Sequence, residues 1–273
     1  MSEAAAFRTS DGTLLHVDSA GEGAPVVFQH GLCGDAGQTN EAFPPDAGFR
    51  RITVEARGHG RSEAGNPDRF SIATFANDLA SYIEKNISAP VVLGGISMGA
   101  AISLHLAVKR PDLVRALVIA RPAWLTQPAP RNMAPNAEVG HLLRQMSPEE
   151  GREAFLAGST GRRLATDAPD NLASLVGFFS RMPHAVTAAL LTAISADGPG
   201  VTDADVSLIS VPTLVIGHQR DLVHPLAYAE DLAAQIPGAR LAIITPKAES
   251  RSQYQADFRK AMGDFLKDLK DND

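Results

Sequence analysis

One serine of this chain sits where it could act as a nucleophile. In VVLGGISMGAAISLHLA, residues Gly95-Ile96-Ser97-Met98-Gly99 read G-x-S-x-G between an apolar run and a helical pattern. A strand-to-helix turn of that kind is so tight that its serine is forced into strained backbone geometry, and only glycine fits on either side. Ser97 would then stand at a helix N-terminus, where backbone N–H groups face any negative charge formed beside it. The competing reading is a glycine-rich turn with an inert serine. The strand before it and the helix after it favour the nucleophile.

Two further stretches follow strand-like runs. In VVFQHGLCGDAGQ, a backbone N–H of the His30-Gly31-Leu32 loop could join that of Met98 in holding an oxyanion, each donor being worth about 3 to 4 kcal/mol in acyl transfer. His30 could be a base, face the substrate or simply fix the loop. Cys33 reads as a small buried side chain, because no basic or histidine neighbour adjoins it. In EARGHGRSE, Gly58 and Gly60 permit a sharp turn and the arginines can tie it down, with His59 either facing the ligand edge or anchoring the loop.

These loops need a frame. Strand-like runs occur at 24–29, 50–56, 90–96, 114–120, 212–217 and 239–245, and TSDGT marks a hairpin turn near the N-terminus. Between them, Ile72, Phe75, Leu79 and Ile83 have helical spacing after an N-cap Ser71, and 98–110 and 225–236 also read as helices. Strands and helices taking turns predict an α/β fold around a mostly parallel sheet. Residues 121–205 break the alternation with a proline-rich run and several helical patterns, predicting a helical cap over the sheet's C-terminal edge, where such folds bind ligands. The core is then 1–120 and 206–273, and the final KDLKDND reads as a charged tail that frays.

Bulk properties agree. The 273 residues are 44% hydrophobic and 21% charged, which is ordinary for a globular chain and excludes disordered and collagen-like classes. A net charge of −6 argues against a nucleic-acid partner, and a single cysteine fits a reducing compartment. With no signal-like leader and no run of roughly 20 apolar residues, a soluble cytoplasmic protein without a membrane partner is expected.

The order of H-G-x-x-G, R-G-x-G-x-S, G-x-S-x-G, a helical insertion and PTLVIGHQRDLVHP resembles the α/β-hydrolase superfamily, of the small capped type, over about residues 8–267. The resemblance implies Ser97 as nucleophile, Leu32 and Met98 as oxyanion donors, and Asp221 as the acid. The alternative for Asp221 is a surface aspartate capping the next helix. The superfamily hosts esterases, lactonases, C–C hydrolases, lyases and non-catalytic members, so the resemblance is specific for fold rather than reaction.

One expected residue is missing. The superfamily's histidine follows the last strand, and here that segment is TPKAESRSQY. A serine hydroxyl is a poor nucleophile unless a neighbour takes its proton. His224, three residues after Asp221, is the leading substitute, since Asp221 could orient it and preserve the roles of a triad. The alternatives are no base at all, His184, Lys247 or Glu249. Arg121 and Trp124, just after the 114–120 strand, could meet a substrate carboxylate and an apolar body, or instead pair internally and anchor the cap. Apolar cap residues such as Phe155, Leu175 and Phe178 read as packing.

The expectation is a serine hydrolase acting on an ester or lactone of a small organic acid, with Ser97, Asp221 and His224 catalytic, Leu32 and Met98 at the oxyanion, and Arg121, Trp124, His30 and His184 at the substrate. The rivals are a C–C hydrolase or lyase and a non-catalytic binding protein of the same fold. No metal-ligand cluster or dinucleotide fingerprint occurs, so no metal or cofactor is expected, and the chain is expected to work as a monomer or homodimer on a small molecule.

Overall fold

The computed structural model describes residues 3–271. Among them, a hairpin of β1 (Glu3–Arg8) and β2 (Leu14–Ala20) leads into β3 (Ala24–Gln29), α1 (Ala36–Ala42), β4 (Phe49–Val54) and α2 (Ile72–Asn86). Then come β5 (Val91–Ile96), α3 (Met98–Lys109) and β6 (Val114–Ala120). After α4 (Ala134–Gln145), α5 (Pro148–Ala157), α6 (Ser159–Asp167), α7 (Pro169–Gly177), α8 (His184–Ser195) and the short α9 (Asp203–Val206), the chain returns to the sheet. It ends with β7 (Thr213–Gly217), α10 (Leu226–Gln235), β8 (Arg240–Ile243) and α11 (Arg251–Asp271).

The eight strands form one sheet in the order β1-β2-β4-β3-β5-β6-β7-β8, in which β2 pairs antiparallel with β1 and β4 and the rest pair in parallel. This is the mostly parallel α/β architecture the alternation predicts. β5 and β7 are buried along their whole length, as parallel strands covered on both faces must be. One core lies against α2, α3 and α10, and the other against α1 and α11. α2 starts where its N-cap is expected: Ser71 Oγ accepts from Thr74 N at 3.0 Å, and Ile72, Phe75, Leu79 and Ile83 are buried. Such a cap contributes about 1 kcal/mol.

The charged C-terminal stretch corrects the expectation of a fraying tail. α11 continues through Asp271, because Phe258, Met262, Phe265 and Leu266 on one face are fully buried against the sheet. Each such side chain contributes about 1.5 to 3 kcal/mol, enough to carry the charged opposite face along as helix. The last two residues of that stretch lie outside the described residues.

The parallel strands all point their C-terminal ends the same way, so the loops after them gather at one edge. His30 follows β3, Arg57 and His59 follow β4, Ser97 follows β5, Arg121 follows β6, Asp221 follows β7 and Lys247 follows β8. The helices between β6 and β7 supply α4 and α7 to the cavity at that edge.

The turn at Ser97 depends on close backbone approach. A Cβ on Gly95 would lie 2.5 Å from the Gly99 carbonyl carbon, and one on Gly99 would lie 2.4 Å from Gln29 O. Neither neighbour is a flexible side chain that could swing away. Gly95→Ala is therefore expected to lower unfolding free energy by more than about 2 kcal/mol in urea titration, whereas Gly177→Ala in α7, where an added Cβ meets nothing within 4 Å, should be neutral or slightly stabilising. Equal effects would show that the turn is not held by backbone contact.

Candidate active site

Ser97 is the residue between β5 and α3, with φ 55° and ψ −110°. This is a rarely populated region for a residue with a Cβ, and it persists because the flanking structure determines it. The Ser97 N–H donates to Ala120 O at 3.0 Å, tying the corner to β6. Its side chain reaches the cavity, though the residue is only 8% exposed. Met98 opens α3, whose first N–H groups have no partner within the helix.

His224 Nε2 lies 2.9 Å from Ser97 Oγ. On the other side of the ring, Nδ1 lies 2.9 and 3.0 Å from the two carboxylate oxygens of Asp221. A carboxylate can only accept, so Nδ1 carries the proton and Nε2 is left to accept from the serine hydroxyl. The three-residue spacing has a local cause. Asp221 Oδ1 also accepts the backbone N–H of His224 at 3.0 Å, so one carboxylate holds both the chain and the ring of the residue three positions on.

Asp221 is fully buried at its side chain and surrounded by donors. Arg121 Nε and Nη2 donate to Oδ2 at 2.9 and 2.6 Å, and Asn171 Nδ2 donates to Oδ1 at 2.9 Å. Burial opposes its ionisation, but the guanidinium of Arg121 and then the ring of His224 hold the carboxyl well below the usual range. For His224, burial pushes the pKa down, Asp221 pulls it up, and Arg121 pushes it down again, leaving it below its ordinary value. His218, from the same loop, is pushed down to about 4, first by burial and next by Arg121. The Arg121 guanidinium also lies over the Tyr254 ring of α11, 5.9 Å from its centroid.

A cavity of about 250 Å³ opens onto Ser97. Leu32, Cys33 and Gln38 form one side, Asn136, Asn171, Ser174, Leu175 and Phe178 come from the helices between β6 and β7, and Val223, His224 and Lys247 complete the wall. Gln38 shapes the loop after β3, because its Oε1 accepts the Gly31 N–H at 2.6 Å. Leu175 and Phe178, expected as cap packing, face this cavity. Cys33 is half-buried at its wall rather than inside the core, and burial pushes its thiol up to about 12. Among the described residues, no group of three His, Cys, Asp or Glu could hold a metal ion.

Four substrate assignments need correction. His30 does not line the cavity; it is 1% exposed, with Nδ1 on Gly31 O at 2.8 Å and Nε2 on the Ala56 N–H at 3.1 Å. Trp124 is 2% exposed and donates its indole N–H to Asp197 O at 2.9 Å, so it anchors the inserted helices. Arg121 reaches the cavity wall, but its guanidinium is engaged by Asp221 rather than free for a substrate carboxylate. His184 opens α8 away from the cavity lining. The loop after β4 is anchored as its arginines suggest: Arg57 binds Asp78 through Nε at 2.6 Å and Nη2 at 2.9 Å, while His59 is fully buried against His30. Among the other base candidates, Lys247 pairs with Asp170 at 3.2 Å. Gln38, Asn136 and Asn171 belong to no motif: Gln38 stands just beyond H-G-x-x-G, and helical asparagines carry no sequence signature.

A family model for the alpha/beta hydrolase fold matches residues 24–149. The chain is 30% identical, over 83% of its own length and 87% of the other's, to BpoC of Mycobacterium tuberculosis, a candidate non-heme bromoperoxidase. It is 27% identical over 80% of its length and 82% of the other's to RutD of Klebsiella pneumoniae, a candidate carbamate hydrolase. The crystal structure of the enol-lactonase from Burkholderia xenovorans LB400 superposes with a TM-score of 0.72 at 23% identity, over 96% of this chain and 99% of that one. With a fold, a strained serine turn and a relative that all agree, the chain belongs to the α/β-hydrolase fold family and is a hydrolase.

Proposed function

We propose that the protein cleaves an ester or lactone of a small organic acid through an acyl-enzyme on Ser97. The observation that carries this reading is the 2.9 Å approach of His224 Nε2 to Ser97 Oγ, with Asp221 behind the ring. Ser97 Oγ attacks the carbonyl carbon as its proton passes to Nε2, and the carbonyl π pair moves onto oxygen. The N–H groups of Leu32 and Met98 receive that oxyanion. The Gly31 and Ser97 N–H groups are already engaged, by Gln38 Oε1 and Ala120 O, which supports Leu32 and Met98 as the donors. Collapse expels the alcohol, which takes the proton from His224. Water then attacks the acyl-enzyme with the same imidazole as base, and the acid leaves with Ser97 restored. Two similar proteins carry names, carbamate hydrolase and enol-lactonase, that agree with acyl transfer.

A serine-directed phosphonate should label the protein on Ser97, and His224→Ala should lower kcat on a p-nitrophenyl ester by about 10,000-fold or more. A parent that stays unlabelled would overturn the acyl-enzyme on Ser97, and an unimpaired His224→Ala would remove the imidazole from the mechanism.

The depressed pKa of His224 sets the pH dependence. Only neutral imidazole can accept the serine proton, so kcat/KM should rise with pH through an apparent pKa below 6.5. Arg121→Gln keeps a donor near Asp221 and removes the positive charge that disfavours imidazolium, so its acid limb should move to higher pH. A limb that stays in place would show that Arg121 does not tune the base.

A further inference from the structure

The cavity wall holds one buried side-chain acceptor without a partner. Asn136, on the first turn of α4, is 5% exposed and lines the cavity, and its Oδ1, closed off from solvent in this conformation, has no hydrogen-bond partner. Buried side-chain amides are nearly always satisfied, and one that is not calls for a specific explanation. Leucine would occupy a similar volume without a stranded dipole. The rest of the wall is satisfied from within. Arg121 faces Asp221, Lys247 Nζ lies 3.2 Å from Asp170, Gln38 Oε1 holds Gly31, Asn171 bonds Asp221 and two backbone N–H groups, and Ser174 Oγ donates to Asp170 O at 3.0 Å. Each wall cation thus meets a carboxylate of the protein itself, which leaves none for a substrate carboxylate. Leu32, Ile96, Leu175, Phe178 and Val223 make the remainder apolar.

From these observations we infer that the substrate is an uncharged ester or lactone bearing a second oxygen function, a hydroxyl or a ketone, and that the carboxamide of Asn136 is the residue that selects it. This rests on the acyl-transfer reading of the same cavity. A carboxamide both donates and accepts, so rotation about its terminal bond can turn either the oxygen or the NH2 group to the cavity and meet either oxygen function. A hydrocarbon acyl chain would leave the amide stranded, and a charged one would enter a wall with no free counter-ion.

The test uses matched p-nitrophenyl esters in which a hydroxyl replaces a methyl at acyl carbon 2 or carbon 3, with the hemisuccinate as the charged member. The parent should favour at least one hydroxylated ester over its methyl isostere by about tenfold or more in kcat/KM, and should disfavour the hemisuccinate. Asn136→Leu should abolish that ratio while its unfolding midpoint equals or exceeds the parent's. Asn136→Ser, which keeps a small polar group, should retain part of it. A parent with no hydroxyl preference, or a preference that survives Asn136→Leu, overturns the assignment. If no ester turns over, the acyl-transfer reading has failed. The Asn136 assignment is then judged separately by calorimetric binding of the same esters to Ser97→Ala, where equal affinity for hydroxyl and methyl members would sink it.

Discussion

A fully buried carboxylate and the guanidinium that answers it organise this molecule. Asp221 follows β7 and Arg121 follows β6, two neighbouring parallel strands, so the ion pair forms across the sheet edge at 2.6 Å. Removing one partner of such a pair typically costs about 3 to 5 kcal/mol, because the other charge is left without water or counter-charge. The pair therefore locks the ends of both strands at the place where Ser97 emerges. It also leaves Asp221 less negative toward His224 than a carboxylate with no other cation would be. The result is a ring held in place by Asp221 but with a lowered pKa, which keeps it neutral, and able to accept a proton, at ordinary pH.

The inserted helices are part of the same construction. Asn171 of α7 donates to Asp221, and its Oδ1 accepts the N–H groups of Leu222 and Val223 at 2.7 and 3.1 Å. Asn132, just before α4, donates to Ala123 O and Val223 O at 2.9 and 2.7 Å. Trp124 and Asp197 make a second tie, and Asp197 Oδ2 reaches back to cap the start of α2 by accepting the Ile72 N–H. The loop that carries His224 is thus shaped from both sides, by its own aspartate and by asparagines from the insertion. Positioning of the imidazole and formation of the cavity are two results of one set of contacts.

The serine turn, the strands β3, β5, β6 and β7 and the helix α2 were readable in the chain because each rests on neighbours in sequence. Apolar runs, a capping serine and glycines two residues either side of Ser97 express their chemistry locally. The proximity of Asp221 and His224 has the same origin, since a spacing of three lets one carboxylate hold the other residue's backbone and ring. The end of α11 is not legible in sequence, because its charged face is what the sequence displays, while the burial of Phe265 and Leu266 depends on a sheet assembled from distant segments.

What the chain could not declare alone is where the side chains of its loops would find partners. Arg121 and Trp124 look equally suited to a substrate in sequence, yet one meets Asp221 a hundred positions away and the other Asp197, as strand order and insertion packing dictate. Asn136 and Asn171 are helical asparagines without any motif; folding satisfies the second completely and strands the first in the cavity wall. The sequence by itself determined which residues could do chemistry, because backbone strain and spacing are local properties. Tertiary structure alone decided which of them remain free to meet a substrate, because charge compensation and hydrogen bonding are settled among groups that only the fold brings together.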